Sequence, residues 1–179
     1  LTHNGATFSA GTGMYYFETN NQAIGGTSAL TIPKITIEAA RTLTNNNSGG
    51  LSVTTTLAGE ALTQGASGVL NLGMADVGFT LTTLNASAVG NTVNYSYGGN
   101  QTVEDVSYHH LILSTSGTKT LPAGLTHLTG SLTLSGTATN ATTLADLDID
   151  GDLSIANSAV LTVGAFNFNV DGNTSITGT

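Results

Sequence analysis

Hydrophobic and polar residues alternate along much of the chain, and the alternation recurs at a fixed spacing. In the segment LDIDGDLSIA, which starts at Leu147, every second position is apolar or glycine. This period of two is typical of a β-strand with one buried face. The segments THLTGSLTLS and FNVDGNTSIT, from Thr126 and Phe168, have the same phase and are each displaced by 21 residues. The pattern predicts strands whose apolar sides face a common core.

The same spacing aligns glycines and apolar residues in columns. The aligned sets are Gly130, Gly151 and Gly172; Leu111, Leu132, Leu153 and Thr174; and Leu113, Leu134, Ile155 and Ile176. A repeat of this length with its side chains in register is typical of a solenoid, whose coils stack about 4.8 Å apart. We therefore predict an all-β fold, a parallel β-solenoid in the form of a right-handed β-helix, with coils of about 21 residues and a bend at each aligned glycine.

The regularity of the repeat differs between the two halves of the chain. Residues 91–179 contain regularly spaced rungs, whereas residues 1–90 contain similar motifs at less regular spacing. For example, SGVLNLG from Ser67 matches SAVLTVG from Ser158. We predict two repeat units, 1–90 with loop insertions and 91–179 with regular rungs, in one continuous solenoid. Three segments interrupt the pattern. We predict loops at 44–50 and 58–68, and LAGEAL at 57–62 could form one helical turn.

Composition agrees with strands and turns and excludes several classes of partner. Of 179 residues, 39% are hydrophobic and 8% charged, with 23 glycines and no cysteine. The net charge of −8 disfavours nucleic acid and anionic membrane surfaces. Without cysteine there is neither a disulfide framework nor a thiolate metal site, and no apolar run reaches the roughly 18 residues of a membrane span. The start lacks the features of a signal peptide, and we expect the sequence to be part of a longer protein.

A recurring set of motifs in the second half resembles a known family. The string VNYSYGGNQTVEDVSYHHLILSTSGTKTL is followed by GSLTLSG and SAVLTVGAFNFNVDGN. These motifs resemble repeats of very long surface proteins of Bacteroidota, including the SprB-like gliding-motility adhesins. The family's elements fall on Tyr95, Gln101 to Val103, Tyr108 to Leu113 and Ser116 to Leu121.

The resemblance covers residues 91–179 well and 14–90 more loosely. The chain departs from the family at His110, where asparagine is usual, and at the aspartate-rich DLDIDGD. The resemblance implies an exported, extracellular or cell-surface protein, often delivered by type 9 secretion, whose repeats form a stalk or adhesive filament. It does not imply catalysis.

An aspartate-rich rung is the candidate for metal binding. The spacing of the aspartates in ADLDIDGDLSIAN is similar to the start of an EF-hand calcium loop. Two residues argue against that motif: Asn157 occupies the position of the bidentate glutamate, and Leu147 is apolar at a loop position that faces solvent. As a strand, the rung places its acids outside, where a calcium ion could bridge carboxylates of neighbouring coils; a solvated acidic face is the favoured alternative. The register also puts His127 one rung from Asp148, which predicts an ion pair at mildly acid pH. The candidate calcium ligands are Asp148, Asp150, Asp152 and Asp171, and no other cofactor is predicted.

Other polar residues offer weaker candidates. His109 and His110 are adjacent in a predicted strand and should face opposite sides. Arg41 and Lys119 are far apart and lack acidic neighbours, so we expect no enzyme activity. The column Thr133, Ser154 and Ser175 resembles ice-binding hydroxyl arrays, and the tyrosines could stack on sugars.

These patterns favour a structural or adhesive role. We expect a stiff stalk or filament whose ends meet flanking repeats of the same chain or associate end to end, with surface glycans as further partners. The alternatives are an ice-binding or polysaccharide-binding β-solenoid and, less favoured, a polysaccharide-degrading β-helix.

Overall fold

A computed structural model of the protein describes residues 1–5, 7–54, 61–76, 79–81, 83–137 and 139–177. The fold is all-β, with 47% strand and 1% helix, and its parallel strands stack as a β-solenoid of about 8 turns of ~21 residues each. The predicted fold class and coil length are therefore confirmed. The right-handed sense of the winding remains a prediction.

The strands are short because each coil turns a corner every few residues. Numbered along the described chain, they are β1 Thr2–His3, β2 Met14–Phe17, β3 Gln22–Gly26, β4 Leu30–Ile32, β5 Lys34–Ile37, β6 Thr42–Asn47, β7 Leu51–Val53, β8 Leu62–Gln64, β9 Val69–Leu72, β10 Phe79–Leu81, β11 Leu84–Asn85, β12 Thr92–Tyr95, β13 Gln101–Thr102, β14 His110–Leu113, β15 Gly117–Thr120, β16 His127–Leu128, β17 Leu132–Leu134, β18 Thr139–Thr142, β19 Leu147–Ile149, β20 Leu153–Ile155, β21 Val160–Thr162, β22 Phe168–Val170 and β23 Thr174–Ile176.

One sheet runs the length of the solenoid. Its order over the described residues is β1-β3-β6-β9-β12-β14-β17-β20-β23. It passes from the 1–90 segment into 91–179 without a break, since β9 pairs with β12. The other sheets, β10-β7-β4, β11-β8-β5-β2, β13-β15-β18-β21 and β16-β19-β22, form the remaining walls.

The predicted apolar columns are confirmed in the pairing register. Leu111 pairs with Leu132, and Leu132 pairs with Leu153, so the side chains lie directly above one another inside the solenoid. All three leucines are buried. Burial of such a column stabilises the stack by about 1.5–3 kcal/mol per fully buried leucine.

The aligned glycines mark a corner, as predicted. Gly151 donates its N–H to Gly130 O at 3.1 Å, and Gly172 donates to Gly151 O at 3.1 Å. A Cβ at Gly151 would lie 2.7 Å from the carbonyl carbon of Gly130. The coils therefore approach at this corner more closely than any side chain would permit.

The loop predicted at 44–50 is wrong over most of its length. Residues up to Asn47 belong to β6, and the side chains of Asn45 and Asn47 are buried. Asn47 Nδ2 donates to Ser28 O at 3.1 Å and to Gly50 O at 2.9 Å. The amides point inward because they find acceptors there, Met74 Sδ for Asn45 and two backbone carbonyls for Asn47, which the alternation of apolar residues does not predict.

The loop and helical turn predicted between 57 and 68 are only partly within the described residues. Residues 57–60 lie outside them. Leu62 starts β8, and a tight turn follows at residues 66–67.

The two ends of the solenoid differ in how their interiors are covered. At the first coil, the rings of His3, Phe8 and Tyr15 pack together. The ring centroids of His3 and Phe8 are 6.1 Å apart, and those of Phe8 and Tyr15 are 6.5 Å apart. At the last coil, Ile176 is exposed although it pairs with Ile155, whose column faces the interior. The final coil therefore presents an apolar side chain and, among the described residues, unpaired strand edges to solvent.

Candidate functional site

The aspartate-rich rung forms part of an exposed wall. β16, β19 and β22 pair in parallel, which sets His127 against Asp148 and Asp148 against Asn169. These neighbours are those that the 21-residue register predicts. We call the group His127, Asp148, Asp150, Asn169 and Asp171 the acidic face.

His127 makes its close contact with Asp150. Its Nε2 lies 2.8 Å from Asp150 Oδ1, and both side chains are about half exposed. This hydrogen bond, with the charges of Asp150 and Asp148, raises the pKa of His127 above its usual 6.5. One ligand atom each from His127, Asp148 and Asp150 lie within 4.8 Å of one another, so these three could share an ion.

The other predicted calcium ligands lie outside that group of three. Asp152 follows the corner at Gly151, and its Oδ1 accepts the Asn173 N–H at 2.7 Å. Asp171 Oδ1 accepts from Asn169 Nδ2 at 3.0 Å, and the same amide nitrogen donates to Asp148 Oδ1 at 2.8 Å. Asn169 therefore relieves part of the repulsion between coils without a cation.

Asp146 is held on the same wall by asparagine. Its two carboxylate oxygens accept from Asn167 N at 2.8 Å and from Asn167 Nδ2 at 3.0 Å. These hydrogen bonds lower the pKa of Asp146 below its usual 3.8. The contact joins two coils through an acid and an amide.

His109 and His110 do not face opposite sides, so that prediction is wrong. Their rings touch edge to face, with centroids 4.2 Å apart. His109 lies at a bend before β14, so its side chain does not follow the alternation of sides that holds within a strand. His110 Nδ1 accepts the Ser131 N–H at 3.0 Å, and burial together with His109 lowers the pKa of His110.

Lys119 is a buried cation, which the sequence analysis missed. Its Nζ donates to Tyr97 O at 2.6 Å, Gly99 O at 3.0 Å and Gln101 Oε1 at 2.9 Å. Desolvation lowers its pKa to about 8, although the charge of Asp76 opposes this shift. The signal was present in the register, because Lys119 aligns with the buried Ala141 of the next coil.

A buried pair of tyrosines lies beside Lys119's coil. The hydroxyls of Tyr95 and Tyr108 are 3.0 Å apart. Tyr108 donates to Glu104 O at 2.8 Å, and the Glu104 N–H donates to Tyr95 at 2.9 Å. Tyr95 therefore donates to Tyr108, which closes the network, and burial raises the pKa of both hydroxyls.

A cavity of about 120 Å³ adjoins this network and is lined by Asp76, Gln101 and Glu104 among others. Burial and the charge of Asp76 raise the pKa of Glu104. Asp76 Oδ2 accepts the Thr102 N–H at 2.6 Å. Two carboxyl groups thus share a small cavity with the side-chain amide of Gln101.

The predicted sugar-stacking tyrosines have different environments. Tyr95 and Tyr108 are buried, whereas Tyr16 and Tyr97 are exposed. Tyr97 borders an open cavity of about 320 Å³ together with Asn46 and Ser48. Tyr15 is half-buried, so Tyr16 and Tyr97 have the most accessible rings of the five.

Comparison with known proteins gives no relative for this chain: no family model, no curated protein and no solved structure matches it. The resemblance to Bacteroidota surface adhesins stays a prediction. Over the described ranges, no helix combines the length and hydropathy required to traverse a bilayer.

Proposed function

We propose that the chain is a non-catalytic structural or adhesive segment of a secreted or cell-surface bacterial protein. Its coils would act as a stiff rod. The observation that carries the proposal is the sheet that continues from β1 to β23, backed by buried leucine columns. Parallel ladders and a continuous core resist bending because each coil stacks on its neighbours.

The last coil is the surface that would extend the rod. Ile176 is 66% exposed although it aligns with the inward-facing Ile155 of the preceding coil. The chemistry that fits this edge is another coil of the same kind, pairing in parallel and covering the exposed column. The occupant in solution would be a second copy of this chain.

Self-association can be tested with two matched substitutions. Small-angle X-ray scattering and sedimentation of the chain should show elongated oligomers whose length increases with protein concentration, because each added copy leaves its own last coil free. Ile176→Asp should abolish them, whereas Val89→Asp, at a flank residue that is 74% exposed, should not. Association that persists in Ile176→Asp, or a wild type that stays monomeric at every concentration, would overturn the end-to-end proposal.

Stiffness can be tested separately on four copies joined in tandem. About 8 turns at about 4.8 Å per coil give a rise of about 40 Å per copy. A rod predicts a straight particle that lengthens by this amount for each copy. Scattering typical of independent beads on flexible joints would contradict the rod.

Glycan binding is the second candidate, favoured by Tyr97 beside its open cavity. Exposed aromatic rings bind sugars by covering their apolar faces. A glycan array probed with the chain should give signals that Tyr97→Ala removes and Tyr16→Ala, at the other exposed tyrosine, retains. Absence of any signal with the wild type would eliminate this candidate.

Calcium binding to the acidic face fits less well. The group of three offers two carboxylates and one imidazole nitrogen, whereas calcium takes 6–8 oxygen ligands. A solvated acidic face is better supported, since Asn169 already bridges Asp148 and Asp171. We expect no change in thermal midpoint on adding calcium; a gain that Asp150→Asn abolishes would establish the site instead.

Ice binding has less support than either. The hydroxyl column runs through Thr133, Ser154 and Ser175, but the preceding residue in the same register is Ile112. A short column offers little flat hydroxyl surface. Thermal hysteresis measured on the chain would reveal the activity, and we expect none.

A further inference from the structure

Lys119 is a buried charge whose hydrogen-bond partners are uncharged. Its acceptors are two backbone carbonyls and the side-chain oxygen of Gln101. A buried ammonium is ordinarily paired with a carboxylate, because removing it from water is costly. A rod could fill this position with an apolar residue, so the amine invites a chemical explanation.

Gln101 and Lys119 are direct neighbours on adjacent coils. They face each other in the parallel pair of β13 and β15, and both side chains are buried. The 2.9 Å hydrogen bond from Nζ to Oε1 holds the amine beside the carboxamide, whose Cδ is one covalent bond beyond that oxygen. From this geometry we propose that Lys119 Nζ bonds to Gln101 Cδ, forming an intramolecular isopeptide bond and releasing ammonia.

The amine is prepared for attack by its surroundings. Only the neutral form is a nucleophile, and a pKa of about 8 leaves about a tenth of the amine neutral at pH 7. When Nζ loses the proton directed at Gln101, its two remaining N–H groups still match Tyr97 O and Gly99 O. The freed lone pair is then on the side of Nζ that faces Gln101, and bond formation requires Nζ to move from the oxygen toward Cδ.

The carboxamide of Gln101 is held from both sides. Its Oε1 accepts the Tyr97 N–H at 3.1 Å, and this donor stabilises the negative charge that develops on oxygen. Its Nε2 donates to Leu72 O at 2.9 Å and to Met74 O at 3.0 Å. These bonds keep the group from rotating away from the amine.

Glu104, in the cavity that adjoins Gln101, is the proton carrier that the proposal assigns. Glu104 lines it with Gln101, and its raised pKa favours a carboxyl group that can give and take a proton. The Nζ–Cδ bond forms, the Cδ–Nε2 bond breaks, and one proton from Nζ is carried to Nε2, which leaves as ammonia. The reaction needs neither oxidant nor metal, and it replaces a buried charge by a neutral amide.

The product would be a covalent link between two consecutive coils. It would join residues 101 and 119 near the passage between the irregular and regular halves of the solenoid. The inference does not depend on the rod proposal, because the bond changes the mass of the chain whatever the chain does.

The test is the intact mass of the purified, denatured chain after incubation at mildly alkaline pH. The expected result is a deficit of one ammonia. Tryptic digestion then locates it, because trypsin cleaves at Lys34, Arg41 and an unmodified Lys119. A linked chain gives one product, 42–179, where an unlinked chain gives 42–119 and 120–179.

Substitutions of the two partners provide the controls. Gln101→Leu and Lys119→Met should each have the mass expected from their sequence, without the ammonia deficit. Lys34→Met should still show the deficit. Glu104→Gln should slow the loss without changing its product. A wild type of full mass that is cleaved after residue 119 overturns the proposal, even if the variants fail to fold.

Loss of ammonia at another position must be distinguished. An Asn-Gly step such as Asn4–Gly5 can lose ammonia by succinimide formation. Trypsin would still cleave that product after Lys119. A mass deficit that maps to an Asn-Gly step, with normal cleavage after Lys119, would also overturn the proposal.

Discussion

The column Leu113, Leu134, Ile155 and Ile176 allows the same truncation to be made inside the stack and at its open end. Leu134 is completely buried, whereas Ile176 is 66% exposed. Leu134→Ala and Ile176→Ala each remove three carbon atoms from one column. Their difference in cost therefore measures what covering by a further coil contributes.

The magnitudes follow from burial. Three methylene equivalents at ~0.8 kcal/mol each give about 2.4 kcal/mol of lost transfer energy for Leu134→Ala. The enclosed cavity raises the total into the range of about 2–5 kcal/mol. Ile176 has about a third of its surface covered and leaves no enclosed cavity, so Ile176→Ala should cost about 0.8 kcal/mol.

Urea unfolding followed by circular dichroism, with the slope compared between variants, measures both costs. At low protein concentration Leu134→Ala should be the more damaging by at least about 1.5 kcal/mol. At high concentration the cost of Ile176→Ala should rise, because end-to-end contact covers its side chain. Equal costs in dilute solution would refute the assignment of the last coil as an uncovered end.

Further predictions concern the polar contacts. His127 should titrate above 6.5 by NMR; its stabilising contact is complete below 6.5 and is lost as pH rises through the higher folded-state pKa. Asp150→Asn should lower the pKa of His127 toward its ordinary value, because the largest cause of the shift is removed. Tyr95→Phe leaves the Glu104 N–H without its acceptor and should lower the free energy of unfolding by about 1–3 kcal/mol, measured by urea titration against wild type. The contact of Asp146 with Asn167 stabilises the fold above pH 3.8, and this stabilisation is lost as the pH falls through the lowered folded-state pKa of Asp146. Asp146→Ala should therefore flatten the acid limb of a plot of thermal midpoint against pH. An unchanged limb would contradict this.

The repeat of apolar residues was sufficient to predict the fold. Leu111, Leu132 and Leu153 align because a displacement of one coil keeps the inward phase, and strand alternation then determines which neighbours face solvent. The same register predicted that His127, Asp148 and Asn169 are neighbours on the wall. What depends on spacing along one strand and its copies can be read from sequence.

The hydrogen-bond partners of the interior polar groups could not be predicted in the same way, even where the register indicates an inward position, as it does for Lys119. Asn47, Gln101 and Lys119 occupy inward positions because corner carbonyls are close enough to accept from them. That satisfaction arises from the three-dimensional path of the corners, which the alternation does not specify. The contact of His127 with Asp150 likewise depends on the bend that follows Ile149, and the sequence register alone favoured Asp148.

The coil geometry has a consequence for the response of the protein to pulling. A coil adds only about 4.8 Å to the length of the stack, whereas its ~21 residues span roughly 70 Å when drawn out. A chain that loses one coil under tension would lengthen by about 65 Å and absorb work while the other coils remain stacked. A bond between residues 101 and 119 would withhold the chain between them from that extension, so a single-molecule trace would lack nearly one coil's length.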